Sequence, residues 1–75
     1  MRVRYFTNDV GPNAYSALRS ENVASIEVGK TRARAVAENL ACKVLVVPED
    51  RRDLWPNRET GRIPRAALAY VVDGR

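Results

Sequence analysis

The chain has no histidine and a single cysteine, Cys42. Without histidine it lacks the commonest zinc ligand and the usual proton shuttle near neutral pH. With one cysteine it cannot close an intrachain disulfide. No run of about 18 apolar residues exists to span a membrane, and Met1-Arg2-Val3-Arg4-Tyr5-Phe6 lacks the apolar stretch of an export signal. A lone cysteine and no export stretch lead to the expectation of a reducing, cytoplasmic setting. Lysine is also scarce: of 13 basic residues only Lys30 and Lys43 are not arginine.

The 75 residues suffice for one domain with one modest core. Because so small a core leaves folding marginal, self-association or docking into a larger assembly is an expected source of added stability. Charged residues make up 29% of the chain, and the net charge is +4. Guanidinium groups bind phosphates and carboxylates through two parallel hydrogen bonds, so an anionic partner fits this surplus. An Arg-, Ala- and Val-rich, lysine-poor composition is also what a GC-rich genome produces, so charge alone does not choose a function.

Hydrophobic spacing predicts the elements. Val3 to Thr7 reads as a strand with Val3, Tyr5 and Thr7 on one face and Arg2, Arg4 and Phe6 on the other. Asn8-Asp9-Val10-Gly11-Pro12 carries turn chemistry, and Asn13 suits the cap of a short helix ending near Ser20. Val23 to Val28 alternates and favours a strand, with Gly29 closing it; an upstream extension of the following helix is the alternative, against which the β-branched residues and Gly29 weigh. Ala33, Val36, Ala37, Leu40 and Ala41 recur at offsets 0, 3, 4, 7 and 8, the stripe of an amphipathic helix from Thr31 to Ala41. Val44 to Val47 is a continuous apolar run ended by Pro48, the pattern of a strand covered on both faces. Leu68 to Val72 is compatible with strand or with a helix opened by Pro64, the strand being narrowly favoured.

These elements define an α+β single domain. A strand–helix–strand centre (Val23–Val28, Thr31–Ala41, Val44–Val47) is extended by N- and C-terminal strands, and one long polar connection fills residues 48–65. The expected core is Val3, Tyr5, Leu18, Ile26, Val28, Ala33, Val36, Ala37, Leu40, Val44, Val46, Leu68 and Val72.

Catalytic and cofactor patterns fail on their own terms. Gly29-Lys30-Thr31 ends like a phosphate-binding loop, but the position five residues earlier holds Ala24 instead of glycine. Cys42 sits among apolar residues with no histidine to activate it. Glu49, Asp50, Asp53 and Glu59 lie beside arginines as solvated ion-pair partners, not as an acid–base couple or a magnesium site. No enzyme activity, cofactor or metal is expected.

Two binding sets remain. Arg2 and Arg4 on the first strand, with Lys30, Arg32 and Arg34 near the start of the main helix, suit phosphates of DNA or RNA. The element order is similar in outline to a winged-helix layout, with the second helix in the groove and the long connection as wing; no residue motif accompanies it. The connection itself supplies the other set: Arg51, Arg52, Trp55, Arg58 and Arg62, with two prolines to stiffen it. Tryptophan and arginine dominate protein–protein hot spots, and the mixed charges around Trp55 suit a protein better than a phosphate backbone. The alternative is that Trp55 folds back over the core. The sequence therefore favours a small protein-binding accessory or inhibitor, of the kind mobile elements and phages encode, docking through the Arg/Trp loop. A nucleic-acid-binding regulator and a subunit of a larger assembly are the alternatives.

Overall fold

A computed structural model describes residues 1–9, 11 and 13–74; Val10 and Pro12 of the expected turn lie outside the described residues. Four strands, β1 (Arg2–Thr7), β2 (Ser16–Asn22), β3 (Lys43–Pro48) and β4 (Val71–Asp73), form one antiparallel sheet in the order β2-β1-β3-β4. One helix, α1 (Ile26–Leu40), covers one face. The chain is an α+β single domain, and β2–α1–β3 is its strand–helix–strand centre.

The first half of that centre is displaced from its expected place. Ser25 caps α1, its hydroxyl accepting a 3.3 Å bond from the Val28 amide, and Glu27 adds negative charge to the first turn. Val23–Val28 is therefore a link and a first helical turn, not a strand. Thr31 is not the cap: it lies inside the helix, where its hydroxyl donates to the Glu27 carbonyl. Gly29, expected to stop a strand, is buried mid-helix, where a Cβ would stand 3.4 Å from Val46 Cγ2 and 3.6 Å from Val3. Gly29, Ala33 and Ala37 form the buried stripe that brings α1 close against the sheet. That close approach offsets the roughly 1 kcal/mol that glycine costs in a helix.

The helix expected from Asn13 to Ser20 is replaced by β2, an outer strand. Its side chains are exposed or half-buried, so no apolar period marks it, and its pairing is carried by main-chain bonds to β1. Leu18 falls where the register shifts between Tyr5↔Arg19 and Phe6↔Ala17, a β-bulge that leaves it exposed. With a strand here in place of the first helix, the winged-helix layout does not hold. The Leu68–Val72 segment divides: Arg65–Tyr70 is a 3-10 helix and only Val71–Asp73 pairs as strand. Leu68 thus faces outward, as Val28 and Leu40 do on α1, and these three with Leu18 are exposed members of the expected core.

The core is double. Val3, Tyr5, Ala33, Ala37, Val44, Val46 and Val72 pack between sheet and helix, flanked by Ile26 and Val36. On the opposite face Phe6, Leu45 and Val47 meet Leu54 from the long connection and Ala67 from the 3-10 helix that follows it, flanked by Trp55 and Ile63. Val44 to Val47 are all 0% exposed because alternate side chains enter the two layers. The connection is thus a third layer. A 3-10 turn, Arg52–Leu54, seats Leu54, and the Asn57 side chain accepts from the Glu59 and Thr60 amides to shape the next turn. Gly61, at φ 72°, ends that turn, and its carbonyl accepts from the Tyr15 amide at 2.8 Å, tying the layer to the start of β2.

Candidate interaction site

Alternation along β1 sends Val3 and Tyr5 toward α1 and Arg4 and Phe6 toward the connection. Arg4 therefore meets Trp55. Its guanidinium lies 5.0 Å from the Trp55 ring and 5.8 Å from that of Phe6, and it donates a 3.3 Å bond to the Ser20 hydroxyl. Arg52 brings a second guanidinium to 5.0 Å from the same indole. Phe6 meets Trp55 edge to face at 5.6 Å and 60°. Each guanidinium is held by the π-cloud, an attraction of about 0.5–2 kcal/mol in a partly desolvated setting.

Around these groups lies an open groove of about 720 Å³, lined by Arg4, Phe6, Arg52, Trp55 and Arg58, with Ser16 and Ala17 of β2 on its rim. No carboxylate lines it. Among the described residues Arg4, Arg52 and Arg58 form no salt bridge, whereas Arg2, Arg19, Arg32 and Arg51 each do. Two polar atoms at this place are buried without a hydrogen-bond partner, Arg4 Nε and Trp55 Nε1.

The nearby acids are committed elsewhere. Glu49 accepts from the Ser20 hydroxyl and pairs with Arg2 at 3.2 Å; the Ser20 bond first, then Arg2, hold its carboxyl below the usual range. Asp53 is likewise lowered by its bonds from Arg51. On the helix side of the sheet Glu21 accepts from Tyr5 Oη at 2.9 Å and from Arg19 at 3.1 Å, and meets Arg32 at 3.4 Å. Its carboxyl is lowered, chiefly by the Tyr5 bond, while burial followed by that bond pushes Tyr5 up to about 12. Cys42 is buried, and desolvation raises its thiol pKa.

Of the residues expected to meet a protein, Arg52, Trp55 and Arg58 share the groove. Arg51 is turned to Asp53, and Arg62 lines a separate hollow with Lys43 and Leu68. Trp55 is half-buried over the second core, so it serves as lid and groove wall together. The residues expected to meet nucleic acid do not converge. Arg2 and Arg4 are on the connection side, Arg32 is engaged by Glu21, Lys30 lies 5.6 Å from the Tyr70 ring, and Arg34 is exposed on α1. Because α1 begins at Ile26, Lys30 and Arg32 sit beyond its first turn, away from the free amides that were to help them hold a phosphate.

Arg4 is the groove residue the sequence assigned to the other set. The missed signal was the apolar run Val44–Val47: a strand covered twice needs a second cover, and only the connection could supply it. That placement brings Trp55 onto the face carrying Arg4 and Phe6.

Among the described residues no helix is long and apolar enough to cross a membrane, and no three acidic or cysteine side chains gather to hold a metal. Neither a protein-family model, nor a curated protein, nor a solved structure matches the chain.

Proposed function

We propose that this chain is a non-enzymatic interaction module whose groove at Trp55 takes an acidic segment of a protein partner. The reading rests on one observation: three guanidiniums that form no salt bridge, Arg4, Arg52 and Arg58, line a single groove. Gathering like charges costs Coulomb energy that a carboxylate ligand relieves, and each guanidinium can receive a carboxylate through two parallel hydrogen bonds. An accessory or inhibitor that covers an acidic stretch of its target needs no more chemistry than this.

Nucleic acid is the competing anion, and the +4 net charge and exposed Arg34 favour it. Binding single strands draws on bare aromatic faces for base stacking. Trp55 instead has Arg4 and Arg52 drawn to its π-system and Phe6 at its edge. Exposed Asp50, Asp53 and Glu59 mix negative charge into the same connection, which suits a protein surface of mixed charge better than an unbroken phosphate backbone.

Trp55 is the only tryptophan, so its fluorescence reports on the groove directly. A ten-residue peptide of alternating Glu and Thr should saturate the signal, and its Lys/Thr counterpart should not. Tighter binding of a ten-nucleotide oligo-dT, weakening with salt at a log–log slope near −0.7 per phosphate contact, would overturn the reading.

A further inference from the structure

We infer that the acidic segment runs on past the groove, over Tyr15, and ends in large apolar side chains seated in a second hollow beside Leu68. This rests on the reading of the groove given above and adds the composition of the partner's segment. Tyr15 lines the groove and also lines the hollow, so the two share a side chain as their border. The hollow, of about 440 Å³, is lined further by Lys43, Arg62, Ile63 and Leu68.

Main-chain bonds fix that border. The Asn57 amide donates to the Arg62 carbonyl and the Gly61 amide to the Asn57 carbonyl, each at 2.7 Å, which closes residues 57–62 into one turn. The turn carries Arg58 into the lining of the groove and Arg62 into that of the hollow. Its Gly61 carbonyl accepts from the Tyr15 amide at 2.8 Å, so the same turn sets Tyr15 between them. A single extended stretch of partner chain can therefore reach both.

The two differ in chemistry. Leu68, at 61%, is the most exposed large apolar side chain among the described residues, and Tyr15 and Ile63 stand half-buried in the same hollow. A lone exposed leucine needs no partner, but three apolar walls around one hollow favour an apolar side chain that displaces the water there. Lys43 stands opposite Asp73 in the β3–β4 ladder, whereas Arg62 forms no salt bridge among the described residues. Arg62 is thus the cation this hollow offers, against three guanidiniums in the groove. One carboxylate beside large apolar side chains fits the hollow, and a run of carboxylates does not. The partner's segment is acidic over the groove and apolar beyond Tyr15.

The test lengthens the alternating Glu/Thr peptide by two leucines and a closing glutamate, at its N-terminus in one form and at its C-terminus in another. Each is titrated against Trp55 fluorescence beside the same extension with serines for leucines. At least one leucine form should bind about ten-fold or more tighter than the original peptide, and its serine counterpart should stay within about three-fold of it. Leu68→Ser, a change at an exposed position, should remove the gain and leave binding of the original peptide unchanged. No gain from either leucine form overturns the inference while the groove reading stands. So does an equal gain from the serine form, or a gain that survives Leu68→Ser, because the added residues then rest elsewhere. A dimer that forms at higher protein concentration and is lost in Leu68→Ser assigns the hollow to a second copy and also overturns it. Failure of the original peptide to bind overturns the groove reading, and this inference with it.

Discussion

Truncating Leu54 to alanine tests whether the long connection is a structural layer. Leu54 is 2% exposed and packs with Phe6, Leu45, Val47 and Ala67 on the face away from α1. Removing three carbons forfeits about 2.4 kcal/mol of transfer energy at about 0.8 kcal/mol per carbon. The space left behind brings the expected loss to about 3–5 kcal/mol. A domain of 75 residues at about 0.05–0.15 kcal/mol per residue has about 4–11 kcal/mol in total, so the substitution removes a large share of it. Urea unfolding followed by circular dichroism reads the loss as a lower midpoint. If the connection were a solvated arm, the change would stay within about 0.5 kcal/mol, as for a surface residue. A midpoint that does not move refutes the second core, and with it the placement of Trp55 against Arg4.

Further expectations follow from the helix cap, the connection and the buried tyrosine. Ser25→Ala removes the acceptor of the Val28 amide and should cost about 0.5–2 kcal/mol, measured by thermal unfolding; no change would mean that α1 begins elsewhere. Gly61→Ala puts a Cβ 2.9 Å from Ala14 Cα at a φ of 72°, and should cost about 1–3 kcal/mol while altering Trp55 fluorescence as the turn shifts. Tyr5, raised to about 12, keeps its proton more tightly folded than unfolded, so stability is complete below the ordinary tyrosine pKa near 10 and falls as pH rises towards 12. Tyr15 is raised in the same direction, chiefly by burial, and adds to the decline. Tyr5→Phe should make the alkaline fall in urea midpoint shallower, and an unchanged profile would contradict the burial of the Tyr5 hydroxyl against Glu21.

The parts of this fold legible in the sequence are those where burial imposes a period. β1 and β3 lie between other strands and are buried on at least one face, so alternation or an unbroken apolar run marks them. The second half of α1 shows its stripe for the same reason. The errors fall where main-chain bonds or close approach do the work instead. β2 is an edge with no buried side, so Ser16–Asn22 carries no strand pattern, and Ala14, Tyr15, Ala17 and Leu18 together imitate a helix. Gly29 counts as a helix breaker until its contacts with Val3 and Val46 show why no larger side chain is wanted. At the site, Trp55, Arg52 and Arg58 were legible from residue type alone. Arg4 was not grouped with them, because their proximity depends on the connection folding back across the sheet, which no local pattern encodes.

The groove reading is tested most directly by mapping the acidic peptide onto the folded chain by amide chemical shifts. The shifts should move at Ser16 and Ala17, at Arg4, Arg52 and Arg58, and at the Trp55 indole N–H, while the outer face of α1 stays still. Shifts confined to Lys30, Arg32 and Arg34, with the Trp55 indole unmoved, would contradict the account and return the positive charge of α1 to the centre of the function.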